Sequence, residues 1–217
     1  MSPAFRKRLA LFFTLSLFVF TAPFRSGAVP QSPAAATCVD ARAVAPASSG
    51  PRGILNFGFV TPNLLRGGQP STDGYHELRE MGVEIVVSFR HEKGENSLER
   101  RTVESLGMRF VSFPWHAWDV PADSDVQRFF ALLAANPRAK LFLHCQQGRD
   151  RTGAMVALYR IAVDRWCPQS AVAEMKAYHY HHFFFPQLET YVEKFPERLA
   201  KDQGLAAAVA PAAPANP

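Results

Sequence analysis

A histidine and a cysteine, five intervening residues, then arginine, threonine and glycine form the run His144-Cys145-Gln146-Gln147-Gly148-Arg149-Asp150-Arg151-Thr152-Gly153, directly after the strand-like Lys140-Leu141-Phe142-Leu143. This spacing suits capture of a phosphate dianion. The residues between Cys145 and Arg151 suffice for the backbone to curl so that successive N–H groups point at one centre. A helix starting near Thr152 directs its positive end to the same place. Arg151 adds a planar fork of donors matching two phosphate oxygens, which a lysine would not reproduce. These surroundings should acidify Cys145, because a thiol beside a cation at a helix N-terminus falls from roughly 8.5 to about 3.5–7.5. Cys145 is therefore the candidate nucleophile and Arg151 the candidate ligand of the transferring phosphoryl group. Gln146, Gln147, Gly148, Arg149, Asp150, Thr152 and Gly153 are the candidate substrate-binding loop. Gly148 fits where so tight a cradle needs positive φ or close backbone approach. Thr152 is placed to donate its hydroxyl to the sulfur when that sulfur leaves. A buried structural cysteine beside a helix-capping loop is the competing reading.

These residues resemble the active-site loop of the cysteine-dependent protein tyrosine and dual-specificity phosphatases, whose pattern His-Cys-x5-Arg-Ser/Thr-Gly is matched without a gap. The resemblance implies an α/β fold, a phosphatase-type sandwich whose central, mostly parallel sheet is flanked by helices, with the loop between a central strand and a buried helix. It also implies in-line attack by Cys145, a phosphocysteine intermediate hydrolysed by water, and charge stabilisation by Arg151 and the loop amides. No metal and no cofactor is required. Asn56-Phe57-Gly58, Leu65-Arg66-Gly67-Gly68-Gln69-Pro70 and the short Gly148-Arg149-Asp150-Arg151 look like the atypical, compact dual-specificity branch of bacteria, fungi and plants.

Such enzymes protonate the leaving group from an aspartate on a mobile loop. The segment Pro114 to Asp123 is that loop, and Asp119 is the candidate acid, because partial burial among aromatic residues would keep its carboxyl protonated. Asp123 and then His116 are the alternatives, although Asp123 and Asp125 also suit helix capping. The implied substrate is a phosphorylated protein or a small phosphorylated molecule such as an inositol phosphate. Trp115 and Trp118 suit an aryl group, and Arg149 suits a second phosphate or else is a solvated rim charge. Arg66 reads as an orienting group behind the loop or as an edge-strand surface charge. His144 reads as a prop for the loop. Two rival functions are a binder that holds a phosphorylated partner without turnover and a sulfurtransferase; Arg151 and Thr152, sixth and seventh after Cys145, argue against the latter.

The elements that must position these residues follow from periodicity. Apolar Ile54 to Val60 and Leu64 to Arg66 suggest two short edge strands, with Gly67-Gly68-Gln69-Pro70 as a turn. Helices are expected over Thr72 to Met81 and Glu95 to Leu106, the second ending at Gly107. Val83 to Phe89, rich in β-branched residues, and Arg109 to Phe113 read as strands. Val126, Phe129, Phe130, Leu132 and Leu133 repeat at helical spacing up to Asn136-Pro137. Thr152 to Val163 is apolar almost all round, as in a buried helix. Helices from about Ser170 to Tyr178, opened by Pro168, and from Gln187 to Lys201 complete the domain. This alternation implies layers around one sheet.

Arg6-Lys7-Arg8, the apolar run Leu9 to Ala22 and the small residues Ser26-Gly27-Ala28 form a secretory signal pattern, residues 1–28. The run is short for a span of about 20 residues, so an uncleaved anchor is the minority reading. Secretion or periplasmic placement follows, with no membrane span after cleavage. Cleavage removes Arg6, Lys7, Arg8 and Arg25 but no acid, lowering the formal charge from +5 to +1, so the basic isoelectric point says little about partners. No basic helix stripe or finger spacing points to nucleic acid. Residues 29–52, rich in Ala, Pro and Ser, read as an extended linker and 203–217 as a disordered Ala/Pro tail, leaving 53–202 as the catalytic domain. The oligomeric state is not set by these features. Cys38, Cys145 and Cys167 leave one thiol unpaired in an oxidising compartment; Cys38 and Cys167 either pair or stay free. The cluster from Tyr178 to Phe185, with three histidines, reads as a metal site or as aromatic packing at a helix end.

Overall fold

The computed structural model describes residues 38–209. Strands β1 (Gly58–Thr61), β2 (Leu64–Gly68), β3 (Ile85–Ser88), β4 (Arg109–Ser112) and β5 (Leu141–Cys145) form one sheet in the order β1-β2-β5-β3-β4. Only β1 and β2 pair antiparallel; the remaining pairs are parallel. The strand that carries Cys145 is thus central, with both edges bonded.

Alternation along the strands feeds two cores. Leu64, Ile85, Val87, Leu141 and Leu143 face one side of the sheet and Leu65, Val86 and Phe142 the other, as a period of two requires. Helices α1 (Thr72–Glu80) and α2 (Lys93–Ser105) cover the second side through Tyr75, Leu78 and Val103. Helices α3 (Asp123–Ala135), α4 (Asp150–Ala162), α5 (Pro168–Ala177) and α6 (Pro186–Glu193) cover the first through Val126, Phe129, Met155, Val156, Met175 and Leu188. The apolar circumference expected of the helix after the cradle is realised in α4, where ten of its residues are buried.

Several boundaries differ from expectation. Residues 54–57 are irregular, with a turn at Leu55 and Asn56, so β1 starts only at Gly58. Gly67 and Gly68 are not a turn but the end of β2, paired with His144 and Cys145. The expected last helix is two, α6 and α7 (Phe195–Lys201), because Pro196 has no N–H to continue the first. The tail begins with α8 (Gln203–Val209), anchored by fully buried Leu205. From Cys38 onward the expected linker is extended but strapped down. Cys38 is joined to Cys167 by a disulfide, Val39 pairs with Trp166, Ser170 bonds both Asp40 and the Ala41 amide, and the Ala47 amide donates to Phe57. The signal pattern lies outside the described residues, among which no helix is long and apolar enough to cross a membrane.

Candidate active site

Cys145 ends β5, buried and with a free thiol, and Arg149 caps α4 in non-helical geometry, accepting the Gly153 amide at 2.8 Å. The four residues between strand and helix form the cradle. The carbonyls of the first three are bonded outward: Gln146 O accepts from the Gln69 amide at 3.1 Å, Gln147 O from Asn56 Nδ2 at 3.3 Å and Gly148 O from Arg66 Nη2 at 3.1 Å. In a planar trans peptide the following N–H points the opposite way. The amides of Gln147, Gly148 and Arg149 therefore face the concave side, over Cys145. The first amides of α4 add donors there, since they have no partner within the helix.

Gly148 makes this curl possible. Its φ is +69°, and a Cβ built on it would stand 2.3 Å from the Gly67 carbonyl carbon. The glycines at the end of β2 thus serve close backbone approach, which their turn-like appearance in sequence concealed. Arg66 is fully buried, and its guanidinium lies 3.6 Å from the Tyr178 ring centroid. Burial lowers it to about 10, against the opposing pull of Tyr178, Glu174 and Cys145, so it remains a cation at neutral pH. The surface-charge reading of Arg66 is thereby replaced by the orienting one. Asn56, at φ 55°, ties Gln147 O to the Tyr178 carbonyl.

Behind the nucleophile, His144 is sealed from solvent, with Nε2 2.7 Å from Glu99 Oε1. The Tyr75 hydroxyl donates to the same oxygen at 2.7 Å, Gln69 Nε2 donates to that hydroxyl, and Arg90 Nη1 donates to Gln69 Oε1 at 3.0 Å. Burial alone would raise Glu99, but the His144 charge and the bonds from His144, Tyr75 and Gln69 outweigh it and hold the carboxyl below its ordinary range. The helix pattern of α2 gave no sign of this role, because Glu99 lies among surface charges in sequence.

Arg151 is buried and held by one edge: Nη1 donates to Phe89 O at 3.0 Å and Trp115 O at 3.2 Å, and lies 3.3 Å from His91 Nδ1. Burial, with the nearby His116, Arg151 and Arg90, pushes His91 below the ordinary imidazole value against the pull of Glu92, and the Phe89 and Trp115 carbonyls both engage Nη1. This fixes the guanidinium plane and leaves the Nε–Nη2 edge as the fork for two oxyanions. Thr152 Oγ1 is buried without a hydrogen-bond partner among the described residues. The hydroxyl is a donor open to the sulfur at the step in which that sulfur leaves.

The cleft over the cradle has a volume of about 330 Å³ and is lined by Cys145, Gln146, Gln147, Asp150 and Arg151, with Ala117, Trp118, His181, Phe184 and Phe185 as its wall. Trp118 sits there as expected. Trp115 does not: its ring is buried in the core, and only its carbonyl serves the site. Asp119 is exposed in a turn closed by its own amide on His116 O at 3.0 Å. This corrects the expected partial burial; the neighbouring Trp118 lines the cleft but is itself mostly exposed. Asp123 opens α3 behind Ala122, which occupies the cap, and pairs with Arg198. Asp125 pairs with Arg128. His116 packs against His91 with the rings tilted by 39° and 3.5 Å between centroids.

Arg149 and Asp150 meet His181. Arg149 Nη1 lies 3.0 Å from its Nε2 and Asp150 Oδ2 3.0 Å from its Nδ1. Of the three histidines in that cluster, His181 packs on the phosphate loop while His179 and His182 are exposed, and among the described residues no group of three His, Cys, Asp or Glu side chains is placed to share a metal ion.

Residues 60–192 match a family model described as DSP-PTPase phosphatase fused to NAD+ kinase. The chain is 30% identical over 177 residues to the dual specificity protein phosphatase TpbA of Pseudomonas aeruginosa, covering 81% of this chain and 73% of that one. The TpbA crystal structure superposes with a TM-score of 0.58 at 29% identity, over 72% of this chain and 91% of that one. A TpbA structure in complex with pTyr gives 0.56 at 26% identity, over 68% and 92%. The catalytic core of the PP-IP phosphatase SIW14 from S. cerevisiae, at 14% identity and a TM-score of 0.56 over 75% and 96%, shares the fold. With a buried cysteine at the foot of an inward-facing amide cradle, an arginine locked beside it and these relatives, the chain belongs to the DSP-PTPase family of cysteine-dependent phosphatases.

Proposed function

We propose that this phosphatase hydrolyses aryl phosphomonoesters, phosphotyrosine foremost, outside the cytosol. Cys145 attacks phosphorus, Arg151 and the loop amides carry the equatorial charge, Asp119 gives its proton to the departing phenolate, and water then releases phosphate from the phosphocysteine. The observation that carries this reading is the outward bonding of the Gln146, Gln147 and Gly148 carbonyls, which turns the intervening amides toward Cys145. A flat aromatic ring above them meets Trp118, Phe184 and Phe185. Arg149, the residue suited to a second phosphate, is instead engaged with His181, which favours the aryl substrate over a polyphosphorylated inositol. Export is supported by the signal pattern and by the Cys38–Cys167 disulfide, a bond that persists in oxidising compartments.

The test is phosphate release by purified protein from a phosphotyrosine peptide and from a polyphosphorylated inositol. The peptide should be turned over with the higher kcat/KM, and Cys145→Ser should abolish release from both while retaining phosphate binding. Preference for the inositol would overturn the substrate assignment, and release by Cys145→Ser would overturn the mechanism.

A further inference from the structure

The nucleophile and the proton donor sit on loops far apart in sequence, and one short segment touches both. At its first end, the His181 amide donates to Asp150 Oδ1 at 2.8 Å. A guanidinium has no lone pair to offer, so His181 Nε2 accepts from Arg149 and Nδ1 carries the ring proton toward Asp150 Oδ2. His181 is thereby a neutral strut against the phosphate loop. At the other end, the Phe185 ring meets Trp118 edge to face, with centroids 4.8 Å apart, and Gln187 Nε2 donates to Ala117 O at 2.8 Å. Tyr191 OH, on α6, donates to Pro121 O at 3.2 Å. These three anchors bracket Asp119 from both sides.

The segment is also closed on itself. The Tyr180 hydroxyl donates to the Phe185 carbonyl and accepts from the Glu189 amide at 3.2 Å, with its ring buried. Burial raises this phenol to about 12, so it keeps the proton that makes the staple. A loop stapled at its base and attached at two ends transmits position: where Arg149 and Asp150 stand determines where Ala117 and Trp118 stand.

We propose that residues 181–187 are a positioning bridge that sets the acid loop against the phosphate loop, with Gln187 and Phe185 as positioning residues for Asp119. The proposal rests on Asp119 as the proton donor. Gln187 acts only through the Ala117 carbonyl. Phe185 acts through Trp118 as well as lining the cleft.

The experiment measures kcat/KM for a series of aryl phosphates of rising leaving-group pKa in the wild-type chain, Asp119→Asn, Gln187→Ala, Phe185→Leu and Phe185→Tyr, with inhibition by inorganic phosphate as the readout of the cradle. General acid catalysis is worth about 10²–10⁴-fold, and displacement of a group by about 1 Å forfeits up to ~10²-fold. Asp119→Asn should make the dependence on leaving-group pKa steep. Gln187→Ala should lose about 10-fold or more on the least acidic leaving group and under ~3-fold on a nitrophenyl group, whereas Phe185→Leu, whose ring also lines the cleft, should lose on every aryl group and about 10-fold further on the least acidic. Inhibition by phosphate should be unchanged, and Phe185→Tyr, which keeps the ring, should restore the shallow dependence. Equal losses on every leaving group, or none, in the Gln187 and Phe185 variants beside a steep Asp119→Asn would overturn the bridge alone. A shallow Asp119→Asn would overturn the acid assignment and the bridge with it, a result told apart by which variant produces it.

Discussion

Gly148 has two constraints that act together: a left-handed backbone and no room for a β-carbon against Gly67 and Gly68. Gly148→Ala must therefore move the loop backbone, and the amides that face phosphorus move with it. We expect kcat/KM to fall by about 10² or more and stability by about 1–3 kcal/mol, measured by turnover and thermal unfolding. This requirement was legible in the sequence, because a tight cradle between Cys145 and Arg151 has to place a glycine in its middle. The role of Glu99 was not legible, since nothing in a charged helix marks which carboxylate turns inward under a histidine. Its carboxyl is held below the ordinary 4.5 in the folded chain, so the unfolded chain binds more protons in the acid range and stability rises with pH there. That contribution is complete above about 4.5 and is lost as pH falls through the folded value. Glu99→Gln should flatten the acid limb of stability against pH in denaturant titrations. An acid limb of unchanged steepness would assign the loss to other carboxylates.

At the scale of elements, the strap from Cys38 to Ala47 is the feature with most leverage on the site. Its Ala45 carbonyl accepts from Tyr178 OH at 3.4 Å, the Tyr178 ring carries Arg66, and Arg66 holds the Gly148 carbonyl. Reducing the Cys38–Cys167 bond, or making Cys167→Ser, should cost about 2–5 kcal/mol of stability, read as a lower Tm in the presence of a dithiol. An unchanged Tm would mean that the main-chain bonds of Val39 and Ala41 suffice. The strap was hidden in sequence because it packs through main-chain bonds and single residues, leaving no periodicity. The tail helix was hidden for a related reason: only Leu205 among its alanines signals burial. The long helices and central strands were legible, since Val126, Phe129, Phe130 and Leu132 keep helical spacing and Ile85–Ser88 is buried on both faces as its β-branched run suggests.

For the whole molecule, cationic and anionic side chains nearly balance, with a formal charge of +5 over the full sequence. Parts of the site come from nearly the full length of the domain, from Asn56 and Arg66 at its start to His181 and Gln187 near its end. The disulfide that joins positions 129 apart encloses β1 to β5 and the entire phosphate loop in one covalent ring. A protease that cuts any surface turn inside this ring produces a nicked but still single molecule, whose pieces separate on a gel only after thiol treatment. Because the strands remain bonded around the break, such a nicked form is positioned to keep its cradle intact, the covalent circle retaining the piece that a cut would otherwise release.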